Sequence, residues 1–440
     1  MLPREKSIEC KTDKSASARR FPGQLARARQ RIWLLFSALS YRDFRLLWLG
    51  RNLSRLGDSV YEVALGWTVY KVTGSSMAMG VIVGTFTTLQ VALALFGGAL
   101  GDRMSRRYLL LVTDATAMMI TALLALATAA GQVSFLLLLV VAAGLGVTSA
   151  LSLPSLGPLI GELVPRHELQ NANALDSATF SLMTLVGPAL GGFIVSYSIA
   201  VAFGFDALTF LLSFLAMLLM RRIRSSISFQ RVRYQDLIAG FKYIGQRPWL
   251  KWLIAVSIAA NVACIAPFYV LLPLRIANLH LSASIYGLAL AAQGASSVLA
   301  SASLAYLRRV RQTGALLFVS MAGPGVACLL LAVAHSLVTI VCAGAVMGVN
   351  VYAVTLINYL LQRYVAPDYQ SRVTSILLVG SLVFLPAAYA GMGILASYLP
   401  APLVLAAGGM VLLLVCAVAL GSPAGRGLQG LDQESQAEVL

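Results

Sequence analysis

Arg51, Arg55, Asp58 and Glu62 follow one another at steps of four, three and four residues. At about 100° per residue on a helix, these positions fall within an arc of about 60°, so the four side chains leave one face. They sit in an apolar stretch running from about 46 to 70, where charges are costly unless they face a bundle interior or a water-filled cavity. One chemistry open to them is proton carriage, with Asp58 or Glu62 taking and releasing the proton while Arg55 tunes its affinity. A second makes Arg51 and Arg55 counter-ions of an anionic substrate. A third is a self-neutralising ladder that only stabilises the helix.

A census of the 17 carboxylates narrows the field. Those at membrane depth are Asp58, Glu62, Asp176 and Asp206, with Asp114 near the start of the third apolar stretch. Between 252 and 421 the only carboxylate is Asp368, in a loop, so a buried coupling carboxyl belongs to the N-terminal half. His167, His280 and His335 all fall in loops, and no His-containing nucleophile or metal-ligand grouping is present. An enzyme is not expected, nor is a cofactor or metal. Asp206 ranks below Asp58, and Asp176 is expected to pair with a loop arginine.

The elements that must position these residues follow from composition. The chain has 440 residues, 59% hydrophobic and 11% charged, which is the balance of a membrane protein. Apolar runs long enough to span fall at roughly 46–70, 78–101, 108–130, 134–157, 172–196 and 199–220. They resume at roughly 252–273, 284–307, 314–334, 337–361, 373–398 and 402–420. The expected architecture is therefore all-α, with twelve transmembrane helices in two six-helix bundles, 44–220 and 252–421. A basic segment (1–43), a linker with a short surface helix near Tyr234–Ile244 (221–251) and a tail (422–440) complete it.

The net charge of +16 concerns topology rather than nucleic acid. Of 33 Lys and Arg, 29 fall on one side of this scheme, Lys71 and Arg275 on the other, and Arg51 and Arg55 inside the first stretch. That asymmetry places both termini in the cytoplasm and draws the basic face to anionic lipid. The halves also echo each other. Pro165 and Pro188 recur 202 and 198 residues later as Pro367 and Pro386, which marks a duplication.

Between the second and third stretches stands Gly98-Ala99-Leu100-Gly101-Asp102-Arg103-Met104-Ser105-Arg106-Arg107. This resembles the loop motif Gly-x-x-x-Asp-Arg-x-Gly-Arg-Arg of the major facilitator superfamily, with serine at the second glycine. Leu56-Gly57-Asp58, the run Leu163–Ala174, and Asp236-Leu237 through Arg247-Pro248 resemble the branch of enterobactin exporters and macrolide efflux proteins. The resemblance implies two pseudo-symmetric bundles around a central cavity working by alternating access. It also implies a conformational latch at Gly98, Asp102, Arg103, Arg106 and Arg107. Gly187-Pro188-Ala189-Leu190-Gly191-Gly192 matches the core of the superfamily's antiporter motif, which implies export, and the same residues would also serve as a plain glycine packing groove. Drug–proton antiporters of the family commonly carry an arginine in the fourth span, and Leu136–Leu153 has none. Arg51 or Arg55 takes that role, or coupling is arranged differently.

Uncharged polar candidates for a cargo site are Gln90, Asn261, Gln293, Asn350 and Asn358, with Tyr269 and Tyr352. They suit a bulky, partly apolar compound better than a sugar. The function expected is a monomeric secondary transporter of a bacterial inner membrane, exporting a siderophore, macrolide or other amphipathic molecule in exchange for protons. An uptake carrier or lipid translocase is the runner-up.

Overall fold

The structure is a computed structural model that describes residues 36–221, 241–306 and 313–422. The basic segment before Phe36, most of the surface helix expected near 234–244, and the tail beyond 422 lie outside the described residues. Among the described residues there are helices and no strands.

In the N-terminal half, α1 is Arg42–Thr73, α2 Ser76–Arg103, α3 Arg106–Ala129, α4 Phe135–Leu163, α5 Leu169–Tyr197 and α6 Ile199–Leu218. In the C-terminal half, α7 is Pro248–Asn278, α8 Ala283–Tyr306, α9 Thr313–Ala332 and α10 Leu337–Tyr364. There α11 comes in two segments, Pro367–Leu382 and Leu385–Tyr398, and α12 is Ala401–Gly421. Among the described residues, ten helices are long and apolar enough to cross a membrane. The two outside that set are α1, which carries the charged stripe, and α9, whose apolar part Leu316–Ala332 is short.

Local chemistry sets the ends. Gly74, at φ 59°, closes α1 in the left-handed conformation with its N–H on the Tyr70 carbonyl. Ser134, Ser198 and Ser336 cap α4, α6 and α10 by accepting backbone N–H bonds. Ser105 caps α3 by accepting the Tyr108 N–H. That accounts for serine where the loop motif has glycine, because the position is extended (φ −63°) and a side-chain acceptor has work there.

The duplication shows in the packing. Helices α2 and α4 lie together as do α8 and α10, and α3 and α6 pair as do α9 and α12. The halves are joined by two equivalent seams, α5 on α8 and α2 on α11. Small residues allow both. A Cβ on Gly287 would lie 2.3 Å from the Pro188 carbonyl oxygen and 2.6 Å from Gly192 Cα. One on Gly80 would lie 2.3 Å from the Tyr389 carbonyl oxygen and 2.9 Å from Gly393 Cα. The seams start at the end with few Lys and Arg, and among the described residues no comparable seam joins the halves at the basic end.

The basic end is tied within each half. Arg106 pairs with Glu162, and Arg107 donates to the Met217 and Leu218 carbonyls at 2.9 Å each, closing the C-terminus of α6. Gly98, Asp102 and Arg103 lie on the last turns of α2, and their side chains are outside the described ones. In the other half, Arg247 stacks 3.6 Å over the Tyr243 ring, which itself stacks on Tyr369 at 4.6 Å. The short helix Ser37–Ser40 docks on α5, since the Ser37 hydroxyl and the Asn171 amide donate to Glu168 at 2.6 and 2.9 Å.

Those bonds, Ser37 first, hold the Glu168 carboxyl below the ordinary glutamate value. A lowered value stabilises the dock above the ordinary glutamate range and loses that contribution as pH falls through Glu168's own value. Amide-exchange protection over residues 36–41, corrected for intrinsic rate, should therefore weaken below a pH of about 4. Protection that is equal at neutral and acid pH would remove Glu168 from the dock.

Candidate functional site

A cavity of about 430 Å³ lies between the halves. Its N-terminal wall carries Arg51, Asp58, Tyr61 and Glu62 of α1, Asp114 of α3, and apolar groups such as Phe86 and Phe210. Its C-terminal wall is narrower and aromatic, with Tyr269 of α7, Tyr286 of α8 and Tyr389 of α11.

The charged stripe on α1 divides. Arg51, Asp58 and Glu62 line the cavity, whereas Arg55 turns aside into a two-point ion pair with Asp176 of α5, at 2.7 and 2.9 Å. Phe180, one turn further along α5, stacks beneath that guanidinium at 5.3 Å. Asp176 thus pairs with Arg55 and not, as the sequence led one to expect, with an arginine of the loop. The pair is partly buried, at 17% and 23% side-chain exposure. Asp176→Asn should therefore lower stability by about 1–3 kcal/mol, less than a fully buried pair. Thermal unfolding in detergent measures this, and adding Arg55→Gln should recover part of the loss.

Around Asp58 the wall is strongly acidic. Arg51 is the opposite charge that acts on it most, and Asp114 acts on it as a like charge. Asp114 accepts the Ser213 hydroxyl at 2.6 Å and is 2% exposed. Behind Asp58 lies Asp206 of α6, 1% exposed, with neither carboxyl oxygen hydrogen-bonded among the described residues. Glycine makes this closeness possible, because a Cβ on Gly57 would fall 2.6 Å from Asp206 Oδ1. Arg51 makes no ion pair among the described residues, and its Nε is buried without a partner. Asp58, Asp114 and Asp206 thus gather on three helices of a single bundle, with Arg51 as the guanidinium that faces Asp58 and Asp114.

Glu62, one turn along from Asp58 and acted on by its charge, also meets the opposite half. It acts electrostatically on Tyr269, Tyr286 and Tyr389, all from the C-terminal half. Tyr286 crosses between the halves to α1, where a Cβ on Gly66, one turn beyond Glu62, would lie 2.9 Å from its hydroxyl.

Of the polar residues singled out from the sequence, Tyr269 lines the cavity and Gln293 donates to its hydroxyl at 2.7 Å. Gln90 sits one layer back, donating to the cavity-lining Ser149 at 2.7 Å. Asn261 donates to the Ser257 carbonyl at 2.9 Å within the π-turn Asn261–Ile265 of α7. Asn350 stands at the break inside α10, Tyr352 bonds Ser303, and Asn358 is exposed; none of these three lines the cavity. Tyr61, Tyr286 and Tyr389 are lining residues that the sequence reading did not single out. A signal for Tyr286 was present in Gly66, whose missing side chain makes room for it.

The antiporter-type motif packs two ways. Gly187 and Gly191 press on Ser59, Val60 and Val63 of α1, while Pro188 and Gly192 form the seam with Gly287. One short segment therefore touches both the helix bearing the charges and the opposite half.

Comparison with known proteins agrees with this architecture. The enterobactin exporter EntS of Citrobacter koseri is 24% identical over 294 residues, 66% of this chain and 70% of that protein. EntS of Shigella flexneri is 23% identical over the same length. Among solved structures, a bacterial homologue of the human lysosomal transporter Spinster, inward-facing and unoccupied, superposes with a TM-score of 0.63 at 15% identity. It matches over 89% of this chain and 97% of that one. The nucleoside transporter NupG gives 0.65 at 11% identity, over 86% and 98%. Residues 35–438 match the family described as transmembrane secretion effector. The chain belongs to that family, within the major facilitator superfamily, and is by that membership a multi-pass membrane transporter and not an enzyme.

Proposed function

We propose that this protein exports a small amphipathic molecule across a bacterial inner membrane in exchange for protons, by alternating access of a monomer. In this reading α1 and α9 join the ten apolar helices as spans, making twelve, with both termini in the cytoplasm. The observation that carries it is the position of Asp58 and Glu62 on the wall of a cavity between two halves whose seams, among the described residues, lie at one end. Carboxyls on the wall of such a cavity can exchange protons with whichever side it opens to, and their charge changes the environment of a bound molecule. Arg51 supplies the nearby positive charge that the fourth span lacks. The enterobactin exporters among its relatives support export and an amphipathic cargo.

The deciding experiment is metabolite profiling of the medium of cells with and without the gene, grown iron-rich and iron-poor. A compound that stops appearing outside when the gene is absent establishes export and names the cargo. A compound that stops entering would instead assign uptake.

A further inference from the structure

The two walls of the cavity differ in chemistry, and the difference bears on what it can hold. Glu62 has no hydrogen bond or ion pair among the described residues. Tyrosines from three helices of the opposite half, Tyr269, Tyr286 and Tyr389, line the same cavity as Glu62. Tyr286 is fixed, being 1% exposed and seated against Gly66, and Tyr269 is held by the Gln293 amide at 2.7 Å. Aromatic rings beside a carboxyl attract a positive charge. An anion would need guanidiniums, and only Arg51 is left to it because Arg55 is engaged with Asp176.

From this geometry we propose that Glu62 with Tyr269 and Tyr389, backed by the buried Tyr286, forms a cage for the positive charge of an organic monocation. Asp58, with Arg51, Asp114 and Asp206 around it, then forms a separate site that handles the proton. The proposal rests on the transport reading above and sharpens it, setting the cargo class as a lipophilic cation instead of an acidic compound. The cavity volume of about 430 Å³ suits a molecule of drug size. Other charged groups facing the cavity are Arg51, Asp58 and Asp114, so carboxyls outnumber the guanidinium even without Glu62.

The test is equilibrium binding of radiolabelled tetraphenylphosphonium to the purified full-length protein in detergent, with tetraphenylborate as the near-isosteric anion. The cation should bind and the anion should not. Glu62→Gln should weaken cation binding by about thirtyfold or more, the loss expected when one partner of a desolvated charge pair is removed. Glu62→Asp should restore part of it, which a merely structural role would not. Tyr269→Phe keeps the ring and should stay within about threefold, while Tyr269→Leu should lose about fivefold or more. Cys342→Ser, exposed and remote from the cavity, serves as the control. Monodispersity on gel filtration checks that each variant is folded.

Equal binding of anion and cation, or binding unchanged in Glu62→Gln, overturns the cage. If in that case the compound found by profiling still leaves the cell in a proton-dependent manner, the exporter reading stands and the cargo class alone is wrong. If instead the cation binds through Glu62 while no proton-driven flux exists, the cage stands and the coupling reading falls.

Discussion

Asp58→Asn protein, expressed at the wild-type level in inverted vesicles, should bind the exported compound yet fail to concentrate it when a pH gradient is imposed. Proton and cargo influence each other only through a coupling free energy, and such couplings amount to roughly 5- to 150-fold in affinity. Removing the titrating carboxyl abolishes that factor, so gradient-driven accumulation should drop to the level reached without a gradient. Facilitated equilibration down the compound's own gradient should persist. Asp58 is the sharpest target because it lies on the cavity wall with Arg51 beside it, and Asp114 and Asp206 near enough to feel its charge. Coupled transport equal to wild type would remove Asp58 from the mechanism.

The second large effect concerns the α5–α8 seam. Gly287→Val adds atoms where even a single Cβ would meet the Pro188 carbonyl, Gly192 Cα and Gly192 nitrogen, at 2.3 to 2.8 Å. All three are backbone, so no rotamer change can relieve the clash, and the halves must separate at that end. Overpacking of this kind costs about 1–3 kcal/mol, which shifts a two-state balance by roughly 5- to 150-fold away from the sealed form. A cysteine placed at Ser76, 6% exposed beside the companion seam, reports the change through its labelling rate with an impermeant maleimide. In a Cys342→Ser background, labelling should rise by about tenfold or more when Gly287→Val is added. Gly391→Ala is the contrast, since a Cβ there has nothing within 4 Å and labelling should stay at the wild-type rate. Equal rates in all three proteins would mean that the seam does not govern access.

How much of this could be read beforehand depends on the range over which each feature is encoded. The α1 stripe is a local pattern, because steps of three and four residues bring side chains to one face whatever surrounds the helix. The fate of Arg55 is not local. Its partner Asp176 lies 121 residues away, and only the docking of α5 on α1 brings them together. The surroundings of Asp206 are no more local, since they come from α6 packing on α1, with Gly50 against Ser213 and Gly57 against Thr209 and Asp206. The amides illustrate the opposite problem. Asn261 and Gln90 look like ligands for a cargo because they are polar in apolar stretches, yet a backbone carbonyl in one case and Ser149 in the other already receive their amides. Tyr389 carries no marking in the sequence that sets it apart from tyrosines facing lipid, and the mark for Tyr286 lies far off in the chain, at Gly66. The repeat was legible through prolines, but they act differently in the two halves. Pro188 stays inside a continuous helix, while Pro386 opens the second segment of α11 after a break.

The glycine seams bear on speed as well as on fit. Parting two helices that touch backbone to backbone uncovers amides already bonded within their own helices, so little has to be rehydrated. Among the described residues the Ser76 hydroxyl on the Gly393 carbonyl, at 3.4 Å, is the one side-chain hydrogen bond between α2 and α11 that must be given up. Such a gate is a zip without a clasp. On the transport reading proposed above, a full turn of the cycle need not wait for a strong bond to break.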